Sequence, residues 1–161
     1  MSCLYELPPP ESVSKLLSDL LGKPSKAIRA NRFPVGPKTA GAVSIFVSDE
    51  NKPCAVVFSD IAFTCSAGGA LSLIPQNIVE EGIKSGDVPA NMLENFQEVM
   101  NVARSWFERP NVPKLKLESV KSAIGNCSKG LLTMLLKSKH RLDLNIDIAG
   151  YPKGRLVICV V

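Results

Sequence analysis

Two hydrophobic periodicities alternate along the chain. Behind Pro8, Pro9 and Pro10, the residues Val13, Leu16, Leu17, Leu20 and Leu21 recur at helical spacing, and Gly22 supplies a stop. Residues 23–41 are rich in Pro, Gly and Lys and read as a loop with room for one short strand. The β-branched run Ala42–Ser48, a turn over Asp49–Pro53 and the run Cys54–Ser59 together predict a hairpin. Asp60 is placed to cap a second helix, IAFTCSAGGALSLI, in which the pair Gly68-Gly69 either weakens the helix or allows close packing against a sheet. A short helix is expected around Ile78–Lys84. Asp87 and Pro89 then open the longest helix, from about Ala90 to Phe107, and Pro110 and Pro113 end it.

The last third returns to a period of two. Lys114–Val120 alternates, with Leu115 and Leu117 on one face. Leu142, Leu144, Ile146 and Ile148 alternate with Asp143, Asn145 and Asp147 as a half-buried strand. The turn AGYPKG leads into an apolar strand, Arg155–Val161. Between these, residues 121–137 fit either a helix or a strand, and the run GLLTMLLKS favours helix. The order is α-β-β-α-(α)-α-β-(α)-β-β. With hairpins flanking the helices, it predicts one α+β domain over residues 1–161: a mostly antiparallel sheet, helices packed on one face, and one long central helix.

Composition narrows the function classes. At 161 residues, with 45% hydrophobic and 21% charged residues, the chain can bury a core without staples. The net charge of +4 is scattered. Its one cluster, Lys137, Lys139, His140 and Arg141, lacks interleaved aromatics and reads as a solvated strand edge, so no nucleic-acid partner is expected. Cys3, Cys54, Cys65, Cys127 and Cys159 form no C-x-x-C pair and read as reduced, mostly buried thiols. With His140 the only histidine, no metal site is expected. No stretch reads as a signal peptide or a membrane span, so the expected location is cytoplasmic, with no membrane partner. G-x-S-x-G and P-loop patterns are absent. Arg29 and Arg32, and the row Asp143, Asn145, Asp147, are better explained by solvation and strand alternation than by an anionic ligand or calcium.

The longest helix carries the chemistry worth weighing. At 100° per residue, Leu93, Phe96, Met100, Ala103 and Phe107 fall within roughly 80° as a core stripe. Glu94, Glu98 and Asn101 fall within about 60° of one another on nearly the opposite side, and Asn91 extends that side by one turn. Surface helices carry Glu and Asn as a matter of course, so this line of carboxylates and amides gains weight only from its place on the central helix.

That placement, with ENFQEVMN over Glu94–Asn101, resembles the CheC/CheX family of chemotaxis phosphatases, to which the FliY and FliM middle domains are also similar. The family pattern is Asp or Ser, three residues, Glu, two residues, Asn on one long helix, and Glu98 and Asn101 are in register with it. The resemblance extends over LLSDLLG, the hairpin VSIFVSDENKPCAVVFSD, the small-residue helix and the closing strands; a single motif copy makes CheX closer than CheC. It implies hydrolysis of the aspartyl phosphate of a response-regulator receiver domain, with Glu98 and Asn101 catalytic and Glu94 and Asn91 binding the partner. Asn101 would orient the attacking water and Glu98 would pair with the receiver's active-site lysine. No cofactor of its own is implied, because the Mg²⁺ belongs to the receiver. It also implies a homodimer paired through sheet strands. The chain departs from the pattern at Glu94, at Met100, where a small residue is usual, and over Val102, Arg104, Ser105, Trp106 and Phe107, where small residues follow the Asn. These departures define the alternative, a non-catalytic module of the same fold that docks a receiver domain or another signalling partner.

Overall fold

The computed structural model describes residues 4–36, 38–123, 129–130, 133 and 137–160. Its elements run α1 (Pro10–Leu21), β1 (Ser25–Arg29), β2 (Ala40–Val47), β3 (Pro53–Asp60), α2 (Ile61–Leu71), α3 (Gln76–Ser85), α4 (Ala90–Ala103), a 3₁₀ turn (Arg104–Phe107), β4 (Lys116–Ala123), β5 (Arg141–Ile148) and β6 (Gly154–Val160). The six strands form one sheet in the order β1-β5-β6-β3-β2-β4, with every neighbouring pair antiparallel. Helices α1, α2 and α4 cover one face, and α3 packs on the outside of α2. Among the described residues no helix is long and apolar enough to cross a membrane.

The helix-side core follows from the strand alternation. Ala42 and Phe46 of β2, Ala55 and Val57 of β3, Leu142 to Ile148 of β5 at alternate positions, and Leu156 and Ile158 of β6 all point to it. Phe96, Val99, Met100 and Ala103 of α4 meet them there. The 3₁₀ turn is where the structure departs from the predicted single helix to Phe107. Tightening the last turn brings both Trp106 and Phe107 inward, and Phe107 packs against Phe46 with centroids 5.2 Å apart.

The loop expected over 23–41 does contain a strand. β1 is an edge strand whose Ser25 and Ala27 point inward while Lys26, Ile28 and Arg29 are exposed. Strand β6, the apolar strand expected at the end of the sequence, is central, paired with β5 and β3. Of the helix favoured over 121–137, Lys121–Ala123 belong to β4, and most of the remainder lies outside the described residues.

On the other face, Val43, Ile45, Val47, Val56, Phe58, Val157 and Cys159 form a second apolar layer, on which Phe33 and Val35 are laid. The solvated cluster and the polar row of the half-buried strand each need correction at one residue, Arg141 and Asp143. Arg141 and Asp143 have side chains only 3% and 8% exposed. Arg141 donates from Nε and Nη2 to the two oxygens of Asp143, each at 2.8 Å. Asp143 also accepts from the Phe33 amide at 2.7 Å, and Arg141 donates to the Phe33 carbonyl. The fork is buried because the loop bearing Phe33 folds over it. Phe33 in turn stacks on Phe58 at 6.1 Å and lies under the Arg155 guanidinium at 4.7 Å. Lys137, Lys139 and His140 are exposed, as expected.

Candidate functional site on the outer face of helix 4

α4 starts after Pro89, with the Leu93 amide donating to the Pro89 carbonyl at 2.9 Å. Its buried positions are Met92, Phe96, Val99, Met100 and Ala103. The predicted stripe is therefore rotated: Leu93 is only half-buried, while Met92 and Val99 join the core. The cause is that α4 has neighbours on two sides, the sheet and α2, so Met92 packs with Cys65 and Val79 in a separate cluster between helices.

Asn91, Glu94, Glu98 and Asn101 are all exposed and share the outer face, the side opposite this packing. Met100 is fully buried, and Trp106 and Phe107 are 3% and 1% exposed, so three of the bulky departures turn away from that face. Val102, Arg104 and Ser105 do not; all three are exposed, Val102 at 43% beside Asn101.

What holds α4 in place is a close approach of α2. A Cβ on Gly68 would lie 2.2 Å from the Met92 carbonyl oxygen, so only glycine fits. The glycine pair was expected either to weaken the helix or to allow close packing against a sheet; it permits packing against helices instead, since a Cβ on Gly69 would meet Val79 of α3. Asn95, which sequence reasoning did not single out, fastens the same junction. Its Nδ2 donates to the Gly68 carbonyl and to the Ser72 hydroxyl, both at 2.8 Å. Nothing in its spacing marks it, because it sits one step off the polar stripe.

α2 begins at Asp60, whose carboxylate accepts from the Phe63 amide at 2.8 Å. Burial raises the Asp60 pKa against the opposing pull of that bond and of Arg155. α2 ends in a Schellman motif, with the Ile74 amide donating to Gly69 at 2.9 Å and the Leu73 amide to Ala70 at 3.2 Å. Leu73 occupies its left-handed position, φ 57°, where a leucine costs ~1–2 kcal/mol. The cysteines of the apolar runs are unsuited to nucleophilic work: burial pushes Cys65 up to about 11 and Cys159 up to about 12. Among the described residues no group of three or more His, Cys, Asp or Glu gathers as a metal site.

No family model matches the sequence, and a search of curated proteins found no match. Solved structures do match. FliM in the FliM–SpeE complex of H. pylori superposes with a TM-score of 0.62 over 94% of this chain and 80% of that one, at 9% identity. FliY of Thermotoga maritima gives 0.55 over 92% and 82%, at 11% identity. A chain of the CheX–CheY–BeF3–Mg²⁺ complex of Borrelia burgdorferi gives 0.54 over 93% of each chain, at 11% identity. The chain has the CheC/CheX/FliM fold. Within the CheC/CheX/FliM fold so defined, the stripe occupies the exposed side of a helix whose other sides are committed to packing, which leaves its carboxylates and amides available to a partner.

Proposed function

We propose that the outer face of α4 docks a phosphorylated response-regulator receiver domain and hydrolyses its aspartyl phosphate. The observation that carries this reading is the exposure of Glu98 and Asn101, three residues apart on one face of a helix fixed from behind by Gly68 and Asn95. An acyl phosphate is already activated, so hydrolysis needs chiefly a positioned water. The Asn101 amide accepts a hydrogen bond from that water and donates one to the phosphoryl group. Water attacks phosphorus, the bond to the aspartyl oxygen breaks, and inorganic phosphate and a free carboxylate leave. Glu98 pairs with a lysine of the receiver and sets the approach, with Glu94 and Asn91 along the rim. Mg²⁺ is the receiver's own.

The exposed Val102 beside Asn101 favours a second reading, a receiver-docking module without turnover. The discriminating measurement is loss of radiolabelled phosphate from the organism's phosphorylated receiver domains. Wild type is expected to accelerate it for at least one receiver, and Asn101→Ala to remove about 100-fold or more of the acceleration, the range typical of losing a positioning or charge-stabilising group. Binding without acceleration selects the second reading, and no binding to any receiver rejects both.

The resemblance also supports a homodimer. With β6 central, and with the outer amides of Ser25 and Ala27 in β1 already donating to Ser18 and Ser14 of α1, pairing between copies falls to the other outer strand, β4. Light scattering at micromolar concentration is expected to give twice the chain mass. A monomer mass for wild type rejects the dimer.

A further inference from the structure

The turn between α2 and α3 holds an apolar residue that neither the core nor the proposed chemistry uses. Leu73 is 70% exposed, the most exposed large apolar side chain among the described residues. It sits in the left-handed position that closes α2, where glycine is usual. Leucine is disfavoured there twice, by its backbone and by its exposure to water, and nothing in the packing compensates.

Its neighbour Ser72 is fastened to α4. Asn95 donates to the Ser72 hydroxyl at 2.8 Å and, with the same amide group, to the Gly68 carbonyl. Asn95 lies four residues after Asn91 and three before Glu98, so helical spacing makes it a surface neighbour of both. Leu73 therefore stands at the rim of the Asn91–Asn101 stripe, held by the structure that fixes the stripe. Backbone strain that the surroundings enforce gathers at places that meet a ligand. Burying an exposed leucine against a partner is favourable, and a fixed turn beside the polar patch holds this one where a partner docked there would meet it.

We propose that Leu73 is the apolar anchor of the partner-docking surface, entering an apolar pocket on the receiver domain while Glu98 and Asn101 engage its phosphorylated end. The inference rests on the function proposed above and adds the contact that supplies docking strength.

The test compares wild type, Leu73→Gly and Leu73→Met. Each is titrated with the organism's receiver domains activated by beryllofluoride and Mg²⁺, and melting is followed in parallel. Leu73→Gly removes the strain, so its melting temperature should equal or exceed that of wild type while its affinity falls about tenfold or more. Leu73→Met, which keeps an apolar side chain, should retain most of the affinity. Leu73→Gly binding as tightly as wild type overturns the anchor and leaves the docking of α4 standing. If wild type binds no receiver at all, the functional reading fails and the anchor fails with it.

Discussion

Replacing Gly68 by alanine is expected to destabilise the protein by about 2 kcal/mol or more and to displace α4. The added Cβ would lie 2.2 Å from the Met92 carbonyl oxygen and 3.0 Å from its carbonyl carbon. Both atoms are backbone, so no rotamer change relieves the contact, and the helices must separate. Overpacking of this kind costs about 3 kcal/mol at the upper end of its usual range. Alanine's better helix propensity returns about 1 kcal/mol of that. Separation also stretches the Asn95 bonds to Gly68 and Ser72, so the outer face should lose function beyond the loss of stability. Gly69→Ala is the comparison. Its nearest obstacle is a side-chain methyl, Val79 Cγ2 at 2.4 Å, which can rotate, so a smaller loss is expected. Urea unfolding of the two variants is the check, and a Gly68→Ala protein as stable as wild type would show that α2 and α4 are not in this contact.

Asp143→Ala should cost more, about 3–5 kcal/mol, the range for removing one partner of a buried ion pair. The Arg141 guanidinium would stay buried without the carboxylate that receives two of its N–H groups, and the Phe33 amide would lose its acceptor. The loop carrying Phe33 and Val35 should then detach from the second apolar layer, which Phe33 reaches through its stack on Phe58. Changing both partners, Arg141→Met with Asp143→Leu, should recover most of the loss, because the cost lies in a buried charge that has lost its carboxylate more than in the pair's absence. Thermal melts of the single and double variants decide this. Equal destabilisation in both would mean that the fork itself, rather than charge burial, is what the fold depends on.

The parts of this fold that could be read from the sequence are those where local pattern and tertiary environment agree. Val13, Leu17 and Leu21 at helical spacing, the hairpin of β2 and β3, and alternation in β5 are each determined by a single apolar face. The exposed stripe Asn91, Glu94, Glu98 and Asn101 was legible for the same reason, since solvent imposes no competing demand on it. Misreadings arose where a residue answers to a distant partner. β1 showed only as room for one short strand in a loop, because an edge strand presents just Ser25 and Ala27 to the core. Asp143 looked solvated because its shelter comes from the loop of Phe33, 110 residues away, whose amide donates to it. Met92 and Val99 were passed over because a helical wheel assumes one apolar neighbour and α4 has two. Asn95 carries no spacing signal at all; its bonds exist only once α2 and α4 are brought together.

The position of β6 bears on how the molecule is assembled. It follows every other strand in chain order, yet β1 and β5 connect to β3, β2 and β4 only through it. Until β6 is in place, the sheet is two separate ladders, each presenting an open apolar edge on β5 or β3. Joining the ladders requires the sequence-distant pairing of Ala55–Ser59 in β3 with Leu156–Val160 in β6, a topology associated with slow rates and a window for aggregation. A nascent chain can prepare α1, the β2–β3 hairpin and the α2–α4 junction early, but the two ladders become a single sheet only when its final strand arrives.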